Sequence, residues 1–176
     1  HVEAGVGAIA TQANTNILYG INGLKLLKTG LSPREALETM LKEDPERESR
    51  QIIIIDKDGR TAAFTGKETI DWKGHLVGKD YAVAGNMLVG SKVIEAMAQT
   101  FESSKGELAE RLLKALEAGQ EAGGDKRGRI SAALLVAHKE KRGNRLILDL
   151  RVNEHPNPVE ELRRIFEKRT PMKKRK

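Results

Sequence analysis

The segment Gln51–Asp56 (QIIIID) constrains this chain most. Four consecutive isoleucines are stiff at χ1 and favour a pleated strand over a helix. Asp58-Gly59 follows as a hairpin turn signal, and Thr61–Thr65 (TAAFT) returns as the partner strand. A chain built around this hairpin needs helices or a second sheet to cover its apolar face. The sequence supplies both. Ala4–Ala13 (AGVGAIATQA) reads as a buried strand of small residues, and Tyr19–Thr29 as a helix stopped by Gly30. Ser32-Pro33-Arg34-Glu35 opens a second helix, with Ser32 as cap, Pro33 in the first turn and Glu35 reaching back.

Further along, Thr69–Val77 reads as a short strand with a turn at Gly74, and Tyr81–Gly85 as another strand. Val93, Met97 and Phe101 mark one helix face, and Leu108, Leu112 and Leu116 the next. Ile130–His138 and Leu146–Val152 read as strands joined through Gly143-Asn144. Asn157-Pro158 opens a last helix with Leu162, Ile165 and Phe166 inside. Strands fall in hairpins and helices in pairs, which favours an α+β fold with antiparallel sheets over a doubly wound parallel one. The expected organisation is one domain over residues 1–167 and a basic, disordered tail over 168–176.

That tail also accounts for the charge. Lys168, Arg169, Lys173, Lys174, Arg175 and Lys176 carry the whole excess of +6, leaving 25 basic and 25 acidic residues in the remainder. Nonspecific contact with nucleic acid through the tail therefore ranks last among the functional readings. The chain has no cysteine, which excludes disulfides and thiolate chemistry within it and fits a cytoplasmic setting. Its longest apolar runs, Ile52–Ile55 and Ala132–Ala137, are too short for a membrane span. His1, His75, His138 and His155 lack metal-ligand spacing, so neither a metal nor a cofactor is expected.

The densest functional signal is Ala122–Ser131 (AGGDKRGRIS). A glycine pair here opens a helix-to-strand junction to left-handed backbone, and Asp125, Lys126 and Arg127 stand ready to orient polar groups of a ligand. It is not a P-loop, because Arg127 and a strand follow the lysine. A capped polar turn is the alternative reading of the same residues. Thr11, Gln12 and Asn14 end the first strand, and Asn86 ends the Tyr81–Gly85 strand. Such amides and hydroxyls either complete an oxyanion hole or make turns. Ser131, Asp149, Arg151 and His155 are supporting candidates, with Asp149 and Arg151 two apart on one strand face and thus able to pair.

The stretches AGVGAIATQA, NTNILYG, LKEDPERESRQ, AAFTG, GNML, EAGQEAGGDKRGRISAALLV and DLRVNEHPNPVEELRR occur in the order typical of a bacterial and archaeal group, the domain of unknown function number 1028. The chain resembles that family from Ala4 to about Arg164. The resemblance implies membership of the N-terminal-nucleophile (Ntn) hydrolase fold, a four-layer αββα sandwich. It also implies a small amide or peptide as substrate, attacked by a chain-terminal Thr, Ser or Cys. Relatives carry more residues ahead of the AGVGA strand, so the nucleophile is expected upstream of His1. Thr11, Gln12, Asn14 and Asn86 would then line the site, with Asp125, Lys126 and Arg127 orienting the substrate. A non-catalytic binding or assembly domain is the alternative. A homo-oligomer is expected if strand edges are left open.

Overall fold

A computed structural model describes residues 1–140 and 143–169, without the side chains of 139, 140 and 143–147. The elements expected above are largely recovered, with shifts that have local causes. β1 (Val2–Glu3) and β2 (Gly7–Ala13) form a hairpin. The single strand expected over Ala4–Ala13 is therefore interrupted: Gly5 turns at φ 77° and the Val6 N–H closes onto the Glu3 carbonyl at 3.0 Å. α1 (Leu18–Lys28) stops at Thr29 and Gly30, the latter at φ 97°. α2 (Pro33–Glu43) starts with a complete capping box between Ser32 and Glu35.

β3 (Arg50–Asp56) pairs antiparallel with β2 on one side and with β4 (Thr61–Thr65) on the other, giving the order β1-β2-β3-β4. One face of this sheet carries Ile9, Ile52 and Ile54, which pack on Leu27, Ala36, Leu37 and Met40 of α1 and α2. Strand alternation puts the neighbouring residues on the opposite face.

That opposite face meets a second pair of strands. β5 (Gly74–Gly78) and β6 (Tyr81–Gly85) form a hairpin closed by a two-residue turn. Gly74 begins β5 rather than turning within it. α3 (Lys92–Ser103) covers this hairpin through Ile94 and Ala98 against Val83. β7 (Ala132–Glu140) and β8 (Gly143–Val152) make a third hairpin with a register shift at Val136/Ala137. Gly143 and Asn144, expected in its turn, belong to β8. α4 (Leu108–Glu121) and α5 (Pro158–Arg169) cover β7 and β8 through a core of Leu113, Leu134, Leu150, Leu162 and Phe166.

The result is a mixed α/β fold, with antiparallel sheets and, among the described residues, five α-helices. Two departures concern helices. Leu108 is exposed and Leu113 fully buried, because α4 turns Leu113 toward β7 and β8. Lys168 and Arg169, assigned to the tail, end α5 instead, and residues 170–176 lie outside the described residues. No helix among the described residues is long and apolar enough to cross a membrane.

Candidate functional site

Register builds the centre of the site. Gln12 of β2 lies directly opposite Gln51 of β3, on the face turned away from α1 and α2. Side chains so placed are in contact. Gln12 Nε2 donates to Gln51 Oε1 at 2.7 Å. Gln51 is fully buried, so every polar atom of its amide needs a partner. Its Nε2 lies within bonding distance of Thr65 Oγ1 (2.9 Å), the Gly74 carbonyl (3.0 Å) and the Gly85 carbonyl (2.9 Å). Asn86, one residue past β6, donates from Nδ2 to the same Gln51 Oε1 at 3.0 Å. Three amides, from β2, from β3 and from just past β6, thus meet at one point. Gln51 escaped the sequence reading, where it stood only as the first letter of an isoleucine run. A polar residue opening so apolar a strand was the available signal.

The glycine–aspartate loop forms the next wall. Gly123 (φ 115°) and Gly124 (φ 62°) end α4, their N–H groups bonding back to Gln120 and Gly119. The chain then runs alongside the loop after β6. Val89 N–H bonds the Gly124 carbonyl at 3.1 Å, Lys126 N–H bonds the Met87 carbonyl at 2.9 Å, and Leu88 bridges Asp125. Arg127 folds back as a fork, with Nε 3.0 Å from Asp125 Oδ1. The hydrogen-bonded guanidinium holds the Asp125 carboxyl below its usual range despite partial burial.

Between these walls lies a cavity of about 580 Å³. Gln12, Asn86, Asp125, Arg127 and Ser131 all line it, with Arg129 and Gln120 beside them and Met97 and Leu116 as an apolar wall. The remaining candidates lie elsewhere. Thr11 shares the face of Ile9, toward α1 and α2, and its buried hydroxyl has no partner among the described residues. Asn14 is exposed and donates to Ser49 Oγ at 3.3 Å. Lys126 swings out to the Asp71 carbonyl at 2.6 Å. Asp149 and Arg151 do pair, at 2.9 Å, but on the exposed face of β8. His155 Nδ1 accepts from the Asn157 N–H at 3.0 Å, ordering the approach to α5. Among the described residues lining the cavity, Ser131 is the one hydroxyl, and none is a histidine or lysine. The residues present can hold and orient a polar ligand.

The fold and the cavity define an α/β protein with antiparallel hairpins and a polar pocket at the strand ends. The chain belongs to the DUF1028 family, a family of unknown function, which matches residues 1–162. The crystal structure of a DUF1028 protein from Silicibacter pomeroyi is similar to it with a TM-score of 0.86 and 34% sequence identity, over 94% of this chain and 71% of that one. No curated protein matches.

Proposed function

We propose that the chain forms the ligand-holding part of an Ntn-type hydrolase of a small amide or peptide. The observation that carries this reading is the convergence of Gln12, Asn86, Asp125 and Arg127 on one cavity. A second feature supports it. β6 bonds only to β5, and β7 only to β8, among the described strands. The cleft between them, about 290 Å³, is lined by Ala82, Ala84, Ala133 and Leu135, with Ile53 beneath and Phe101 and Leu112 above. It adjoins the amide cavity, because Ala84, Met97 and Leu116 line both. A strand laid in this cleft would join the two hairpins into one sheet. The αββα sandwich would then be complete, and one end of the strand would reach Asn86.

In this reading the added strand carries a terminal Thr or Ser. Its α-amine takes the hydroxyl proton, the oxygen attacks the amide carbon, and the free N–H of Asn86 stabilises the oxyanion. The proton then passes from the α-ammonium to the substrate nitrogen, the C–N bond breaks and the amine leaves, and water hydrolyses the acyl ester to a carboxylate and restores the hydroxyl. Where that strand is absent, the open edges of β6 and β7 favour self-association into a homo-oligomer. A non-catalytic binding domain is the second reading, favoured by a cavity that among the described residues is lined by one hydroxyl, Ser131, and by no histidine or lysine.

The test is to express the gene with any residues encoded ahead of His1, determine the mature N-terminus by intact mass and terminal sequencing, and screen amides and dipeptides for amine release. A terminal Thr or Ser, with turnover that falls at least about tenfold in Asp125→Ala, is expected. An unprocessed start without such a residue, and no turnover, moves the assignment to the binding domain.

A further inference from the structure

The orientation of a side-chain amide is decided by its partners, and here the decision propagates outward from the backbone. The Gly74 and Gly85 carbonyls can only accept hydrogen bonds. The atom of Gln51 facing them is therefore its nitrogen, and Oε1 is the acceptor on the other side. Both groups that meet Oε1 must then be donors. Gln12 and Asn86 consequently turn their NH2 groups inward, at 2.7 and 3.0 Å. Their carbonyl oxygens are left over. Neither oxygen has a hydrogen-bond partner among the described residues, neither is a buried unsatisfied atom, and both residues line the cavity. Each amide also keeps one N–H, since the other is spent on Gln51.

We infer that Gln51 is the positioning residue of this site, and that it sets Gln12 and Asn86 to accept N–H bonds, so that this end of the cavity takes an amide or ammonium group and disfavours a carboxylate. An amide end can give N–H bonds to both oxygens. A carboxylate can accept the one N–H that each amide keeps, but it has none to give, leaves both carbonyl oxygens without a donor and faces their dipoles with its negative charge. Of the two guanidiniums that line the cavity, Arg127 is forked onto Asp125 and Arg129 donates to Asn157 Oδ1 at 3.0 Å, so each already has a partner. The assignment depends on the cavity being the ligand site of the reading above, and not on the chemistry performed there. If that chemistry is amide hydrolysis, water adds across the C–N bond and leaves a carboxylate and an ammonium group. The acyl product then loses the donors that held the substrate, which favours its release.

The test uses the full chain and a matched pair of probes, N-acetyl-leucinamide and N-acetyl-leucine, which differ only in the terminal NH2 or oxygen. Binding is followed by ¹H–¹⁵N spectra, with the side-chain NH2 signals of Gln12 and Asn86 reporting occupancy at this end. The expected result is at least about tenfold tighter binding of the amide, the size of one well-made hydrogen bond against an unpaired acceptor. Gln51→Met frees both amides to rotate and brings the two probes within about threefold of each other. Should that variant fail to fold, Gln12→Met, at a half-buried strand end, is expected to narrow the ratio in the same direction. Equal or tighter binding of the acid overturns the assignment. So does an undiminished preference in the folded variants, or silence of the Gln12 and Asn86 signals up to the solubility of the probes. Amide binding without turnover, in protein expressed with any residues encoded ahead of His1, upholds it while removing the hydrolase reading.

Discussion

Replacing Asp44 by alanine tests whether the strand ends bearing the amides are anchored as the structure indicates. Asp44 Oδ2 accepts from Arg50 Nε at 2.9 Å and from the Tyr19 hydroxyl at 3.0 Å, while Oδ1 accepts from the Glu46 N–H at 2.9 Å. The Arg50 and Asp44 side chains are only 7% and 10% exposed. Arg50 also holds the Asn14 carbonyl at 2.6 Å and Glu46 at 2.6 Å, tying the end of β2 to the start of β3, one residue from Gln51. Removing the partner of a buried charge costs about 3–5 kcal/mol. The lower figure, about 3 kcal/mol, applies here because Glu46 and the Asn14 carbonyl remain on the guanidinium. For a chain of this size that corresponds to a fall of about 6–12 °C in Tm. Urea unfolding followed by circular dichroism measures it.

The loss should also depend on pH. The hydrogen bond from Arg50, ahead of the desolvation that opposes it, holds the Asp44 carboxyl below its ordinary value of 3.8. A depressed carboxyl stabilises the fold above 3.8, and that stability is lost as the pH falls through the lower folded value. The gap between wild type and variant is therefore flat near neutrality and closes on acidification below 3.8. A change under about 1 kcal/mol, or a gap that widens in acid, refutes the account of a buried, load-sharing ion pair.

Two further outcomes concern the cores. Leu113→Ala empties a fully buried site between α4, α5 and the β7–β8 hairpin, and should cost about 2–5 kcal/mol by chemical denaturation. Tyr81 is pushed up to about 12 by burial and then by its 2.7 Å bond to Glu102, and Tyr19 is raised further by burial and Asp44. A raised phenol stabilises the fold below its ordinary value of 10.0 and loses that contribution as the pH rises through the folded value. Phenolate absorbance of the native protein should thus remain low at pH 10, where the unfolded chain titrates.

Local chemistry was the legible part of this sequence. The isoleucine strand with its Asp58-Gly59 turn, the capping box at Ser32 and Glu35, and the left-handed glycines of the 122–129 loop each depend on neighbours within a few residues. The site was legible only in pieces. Gln12, Asn86, Asp125, Arg127 and Ser131 were nameable as polar residues at predicted element ends. Gln51, which joins two of them, was not, because its partners lie 39 and 35 residues away and meet it only through strand register. Thr11 shows the complementary failure. Adjacent strand residues face opposite sides, and with small residues such as Ala8 and Ala10 along β2 nothing marked which side was the cavity. Asp149 and Arg151 formed the expected pair, but the strand face that carries them is the solvent face.

The helices over the second and third hairpins bear on how the proposed site would be completed. On α3, Val93 and Phe101 are buried while Met97, midway between them on the same stripe, is only half-buried. On α4, Leu113 is fully buried, yet Leu112 and Leu116 are half-buried too. These three residues line the cleft between β6 and β7, so the apolar faces are incompletely covered just where two strand edges lack partners among the described strands. Covering apolar surface and pairing open backbone groups both stabilise, at about 25 cal/mol for each Å² removed from water and about 1 kcal/mol for each net hydrogen bond. A strand entering the cleft would gain both terms at once. Met97 and Leu116 also wall the amide cavity. In the proposed reading, completing the sheet and closing the site are therefore one event: the residues that would hold the strand are the residues that would shape the pocket at its end.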